Sequence, residues 1–172
     1  MRKSPQTPFS RDEALSAVRE VYTALDARPV ERACVRRTEC CRFRLTGEMP
    51  YLTRGEAWVA AEALLQKGIQ RLPQKTDGSC PLLQEGSGQC TVYEARPFGC
   101  RTHFCGAAGG PYARREIQDL VWRLDSIDTR LGGDGGQRLP HALQTALDHA
   151  KAHREKRPRG QSVRDAARLH AR

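Results

Sequence analysis

Long apolar runs are missing from this chain. No stretch approaches the roughly 20 apolar residues that a bilayer-crossing helix requires, so an integral helical membrane protein is not expected. The opening Met1–Phe9 is basic, but no apolar core of a signal peptide follows it, so the expected compartment is the cytoplasm. Aromatic residues make up only 6% of the chain, and the segment from Lys151 to Arg172 has none for stacking on bases. The phosphate-cradling G-x-x-x-x-G-K-[ST] pattern and the metalloprotease pattern H-E-x-x-H are both missing. No internal repeat is visible.

What the chain does have is cysteine, seven residues in 172. Four of them, Cys80, Cys90, Cys100 and Cys105, fall in one short stretch, and Cys34, Cys40 and Cys41 form a second knot upstream. In a reducing compartment, clustered cysteines more often bind metal or do redox chemistry than form disulfides. An odd count also leaves one thiol over in any disulfide framework, whereas a histidine completes a metal site without regard to parity. The net charge of +9 sits mostly in the last segment, where eight Lys/Arg from Lys151 onward face only Glu155 and Asp165.

The length suits one domain. A capping box, Ser10-Arg11-Asp12-Glu13, precedes Ala14, Leu15, Val18, Val21, Tyr22 and Leu25, which predicts a helix over 11–25. A second box, Thr53-Arg54-Gly55-Glu56, opens a helix to about Lys67, with Gly68 as its stop. Ile117, Leu120, Val121, Leu124, Ile127 and Leu131 share one stripe of a helix over about 112–131. Gly132–Gly136 reads as a flexible connector, and Pro140 as the start of a last helix carrying Leu143, Ala146, Leu147 and Ala150. Residues 26–51 read as irregular, Gly86-Ser87-Gly88 as a turn and Thr91-Val92-Tyr93 as a short extended piece. The expected fold is mainly α: a small helical scaffold over 10–150 around an irregular, cysteine-rich metal-binding core. It is flanked by an extension, 1–9, and a flexible basic tail, 151–172.

Soft thiolates at short spacing select zinc, copper(I) or iron–sulfur clusters over magnesium or calcium. The candidate ligands are Cys34, Cys40, Cys41, Cys80, Cys90, Cys100 and Cys105, with His103 as an eighth. Cys40 and Cys41 are adjacent, which makes chelation of one ion by both strained; either they serve two neighbouring positions or one of them is spare. His149 and His153 have the i,i+4 spacing of a helical metal pair but read better as an exposed face. Arg96 and Arg101 are candidates to donate hydrogen bonds to thiolates or sulfides as second-layer partners. Equally, they pair with carboxylates such as Glu94.

The motif C-P-L-L at Cys80, the run Q-C-T-V-Y-E-A-R-P-F-G-C-R from Gln89 to Arg101, and the closing Cys105 resemble the YkgJ-like cysteine-cluster family, described as zinc- or iron-chelating. The resemblance covers about residues 33–106 and includes Leu52-Thr53…Glu56. The family's C-x-x-C-x-x-C-C pattern is matched at Cys34, Cys40 and Cys41, but Arg37 stands where its second cysteine falls. The resemblance implies metal binding, not a defined reaction. A similar module occurs in flagellin lysine methylases, which leaves a cluster-dependent enzyme as the alternative to a metal-handling, redox or structural protein. A nucleic-acid-binding module using the basic tail is the third reading, since clustered Arg/Lys attract phosphate.

Overall fold

A computed structural model describes residues 9–29, 32, 34–35 and 37–156, the side chains of 153–156 excepted. Helix α1 (Arg11–Asp26) begins where its capping box does: the Ser10 amide donates to Glu13 Oε2 at 2.8 Å, and the Glu13 amide to Ser10 Oγ at 3.3 Å. All six apolar residues expected to face inward on α1 are buried.

Helix α3 (Arg54–Gln66) lies between two hydrophobic clusters. One side, through Ala57, Ala60, Ala61 and Leu64, packs with α6 (Leu139–Lys156) and its Leu143, Ala146 and Leu147. The other, through Val59, meets α1 and α5 (Arg114–Arg130). The small residues of α3 allow that double approach. A Cβ on Gly55 would stand 2.8 Å from Val18 Cγ2 of α1, closer than real contacts permit. Two short strands, β1 (Tyr51–Leu52) and β2 (Gln137–Arg138), pair antiparallel and tie the entrance of α3 to the entrance of α6. Two short helices, α2 (Phe43–Thr46) and α4 (Phe98–Thr102), carry the chain past the first cluster. No helix among the described residues is long and apolar enough to cross a membrane.

Two stretches differ from their expected form. Gly132–Gly136 is not a free connector but is folded around Asp128, which is 2% exposed. Asp128 Oδ1 accepts from the Arg54 amide at 2.8 Å and Oδ2 from the Gly135 amide at 3.0 Å. A Cβ on Gly133 would fall 2.1 Å from Asp128 Oδ2, so the loop closes only with glycine there. Tyr93 does not continue an extended piece either. It opens a tight 3-10 turn, Tyr93–Ala95. The last helix runs to Lys156, past the boundary expected at 150; residues 157–172, most of the expected flexible tail, and residues 1–8 lie outside the described residues.

The second capping box does more than start a helix. Glu56 is 3% exposed, and its Oε2 accepts from the Thr53 amide at 2.9 Å and the Thr53 hydroxyl at 2.7 Å. Its Oε1 accepts from the Phe98 amide at 2.8 Å, at the root of α4. Burial pushes the Glu56 carboxyl above its ordinary value, against the pull of those hydrogen bonds. Glu56→Gln turns one acceptor into a donor facing a donor, so it should lower the unfolding free energy by about 2 kcal/mol. The exposed equivalent, Glu13→Gln, should cost clearly less, because water replaces the lost acceptor. Urea unfolding of the two variants checks this, and equal losses would contradict the buried role of Glu56.

Candidate metal centre

The two cysteine knots meet at one cavity. Phe43, buried in the first cluster, anchors α2, and the 3-10 turn Glu39–Cys41 before it carries Cys40 and Cys41. The Cys80 amide donates to the Cys41 carbonyl at 2.7 Å, which joins the upstream knot to the downstream one. From Cys80 the chain doubles back. The Thr91 amide and hydroxyl both bond the Leu82 carbonyl, the Gln84 amide bonds the Gln89 carbonyl at 2.8 Å, and Leu83 bridges Cys90. Gly86 and Gly88, at φ +83° and +66°, make the reversal, as the sequence led one to expect. This narrow loop brings Cys90 back beside Cys80. Pro97 is fully buried and leads into α4, whose first turn presents Cys100.

The resulting cavity, of about 490 Å³, is lined by six of the seven cysteines: Cys34, Cys40, Cys41, Cys80, Cys90 and Cys100. Arg96 and His103 also line it, together with an apolar wall that includes Phe43, Met49 and Leu82. Cys105 is not part of the lining; it caps a 3-10 turn, Gly106–Ala108, beyond α4. All seven cysteines are free thiols. Among the described residues, no three His, Cys, Asp or Glu side chains stand in position to hold one ion as they are. The donor set nevertheless fits a soft metal in kind and number, and thiolates close in on an ion as it binds, because binding and ordering are coupled.

The cavity sets the thiols apart electrostatically. Burial pushes Cys80 up to about 12 and raises Cys90 and Cys100 as well. The Cys40 and Cys41 sulfurs stand 3.9 Å apart. The hydrogen bond between them favours one thiolate, on Cys40, and holds Cys41 protonated. His103 and Arg96 add to the preference for charge on Cys40.

The two arginines part company. Arg96 lies over the Tyr93 ring at 3.9 Å, bonds the Tyr93 carbonyl, and remains at the cavity, where its charge adds to the lowering of Cys40 and works against the burial that raises Cys90 and Cys100. Arg101 is spent elsewhere. Its guanidinium bonds the carbonyls of Glu94 and Arg96, pairs with Asp26 of α1 at 3.4 Å, and stacks over Tyr22 at 4.4 Å. It therefore pins the cysteine segment to α1 rather than serving the sulfurs. Arg37, in place of the family's second cysteine, pairs with Glu39 at the surface and does not reach the cavity. His149 stacks on Trp58 at 6.2 Å, away from the thiols; the His153 side chain lies outside the described residues. Glu48, which no sequence pattern marks, lies at the cavity with Oε2 4.0 Å from His103 Nδ1.

A family model described as "Putative zinc- or iron-chelating domain", with the signature C-x-x-C-x-x-C-C, matches residues 32–123. No curated protein and no solved structure matches the chain.

In the metal-free, reduced protein, alkylation at pH 7 should mark Cys40 first, because thiolate is the reacting species. Cys80 and Cys100 should react only after unfolding. Peptide mass mapping over time checks the order, and labelling of Cys80 as fast as Cys40 would contradict it.

Proposed function

The chain belongs to the CxxCxxCC family of zinc- or iron-chelating domains, and on that premise we propose that it binds its metal as thiolates in the cavity shared by the two cysteine knots. The observation that carries this reading is the convergence of six free thiols, from segments far apart in sequence, on one cavity. Four thiolates complete either a tetrahedral zinc site or an iron–sulfur cluster. Two features favour the cluster: the thiols outnumber the needs of one zinc ion, and a cavity of about 490 Å³ has room for several atoms. When bound, such a cluster supplies one-electron redox chemistry. The protein's own contribution is to bind and shield it: an apolar wall excludes water, and Arg96 offsets the negative charge of the thiolates. The role that follows is metal handling or electron transfer.

Anaerobic purification, metal analysis and a visible spectrum test the reading. An iron content with sulfide and a broad brown absorption supports the cluster, and a colourless zinc protein replaces it with the four-thiolate zinc site. A folded protein without either metal would overturn both.

Affinity should also depend on pH. Cys80, Cys90 and Cys100 are protonated at neutral pH in the metal-free protein because burial holds their values up, so each must release a proton to bind. Lowering the pH from 8 to 6 should weaken zinc binding by at least ~10-fold per pH unit, measured by competition with a chromophoric chelator. A flat profile would contradict thiolate ligation.

A further inference from the structure

Two of the seven thiols stand in contact. The Cys40 and Cys41 sulfurs are 3.9 Å apart, and among the described residues no other two sulfurs are hydrogen-bonded. Both residues line the cavity of about 490 Å³, which admits a small oxidant. They differ in cover: Cys41 packs against the first hydrophobic cluster and Cys40 does not. Cys40 is therefore the sulfur that a solute in the cavity meets first.

The backbone beneath the pair is held in an unusual shape. Thr38, at the head of the turn Glu39–Cys41, has φ +64°, the sole positive value at a non-glycine among the described residues. A β-branched side chain is seldom found there, and backbone strain of this kind gathers at ligand clamps and switch segments. The turn is also wired to the downstream knot. The Cys41 carbonyl accepts from the Cys80 amide at 2.7 Å, and a Cβ on Gly88 would stand 3.0 Å from Thr38 Cγ2. Adjacent Cα atoms lie about 3.8 Å apart across a trans peptide, short of the roughly 4.4–6.8 Å usual for a disulfide. A bond between these two sulfurs closes a strained ring and is readily reduced, as labile, regulatory disulfides are.

We propose that Cys40 and Cys41 form a redox-modification site, which a hydroperoxide such as hydrogen peroxide closes to a vicinal disulfide and a dithiol reductant reopens. In the first step the Cys40 sulfur attacks a peroxide oxygen. An S–O bond forms as the O–O bond breaks, and the departing hydroxide takes the thiol proton to become water. In the second, the Cys41 sulfur attacks the Cys40 sulfur. The S–S bond forms as the S–O bond breaks, and hydroxide leaves as water with the Cys41 proton. The pair gives up two electrons and two protons, and the peroxide is reduced to two waters. A dithiol of the thioredoxin class returns both and is itself oxidised to its disulfide. The modification goes beyond metal binding and does not require it; where metal is bound, closure withdraws two of the cavity's sulfurs from it.

The test treats the full chain with equimolar hydrogen peroxide, both as purified and after a chelator has removed its metal. Trypsin, cutting after Arg37 and Arg42, releases both cysteines on the fragment Thr38–Arg42, which holds no other cysteine. That fragment should become lighter by two hydrogen atoms, resist alkylation, and recover both thiols with reduced thioredoxin. Cys41→Ser should lose the disulfide and leave a Cys40 sulfenic acid that a dimedone-type probe traps. Cys40→Ser should lose the disulfide and the adduct alike. A disulfide joining Thr38–Arg42 to another fragment overturns the proposal. So does a fragment that gains oxygen without closing, or one that stays reduced in both preparations. None of these results touches the metal-centre reading, which is tested by the metal content of the reduced chain.

Discussion

The carboxylate of Glu56 is the interaction on which the rest depends. A buried charge is tolerated only when its oxygens are met by donors, and here both are. One oxygen closes the first turn of α3 through Thr53, and the other holds the amide of Phe98 at 2.8 Å. The first bond belongs to the helical scaffold and the second to the cysteine segment. Glu56 thereby fixes where α4 begins, and α4 carries Cys100. Arg101 makes a matching tie from the far side, binding the carbonyls of Glu94 and Arg96 and reaching Asp26 of α1. Between these two clamps the run from Tyr93 to Arg101, a 3-10 turn followed by the start of α4, is held against the longer helices.

That arrangement explains why the thiols sit where they do. A segment rich in ligands and poor in periodic apolar residues cannot build a core alone, so it borrows one. Phe43, Leu82, Leu83 and Val92 enter the cluster formed by α3 and α6, and Cys80 goes in with them. Burial raises Cys80, Cys90 and Cys100, so these three thiols resist ionisation in the metal-free site. An ion that displaces the protons gains ligands already surrounded by apolar side chains and faced by Arg96. The same burial that disfavours free thiolates therefore makes the site selective for a soft cation able to draw the protons off.

The helices were legible because their signals are local. Ser10 and Glu13, or Thr53 and Glu56, lie three residues apart, and the apolar stripe of α5 repeats within one turn. The cysteines and their family motif were equally plain. What escaped was set by contacts between residues distant in sequence. Glu56 reads as an ordinary cap until Phe98 arrives 42 residues later. Gly132–Gly136 has the composition of a loose linker, and only Asp128, buried and bonded to Arg54 across 74 residues, turns it into a fixed loop. Arg101 stands beside Cys100 in sequence, yet its guanidinium is drawn to Tyr22 and Asp26 on α1, whereas Arg96 stays with the sulfurs. Glu48 carries no sequence signal, because a single carboxylate in an irregular stretch has no pattern to break. Cys105 shares the motif but not the cavity: it caps the turn Gly106–Ala108 beyond α4.

X-ray absorption at the metal edge of the natively loaded protein tests the central claim most directly. The account predicts a first shell dominated by sulfur, near 2.3 Å for zinc or iron–thiolate ligation, with at most a minor nitrogen contribution. A first shell made of oxygen and nitrogen alone would contradict it.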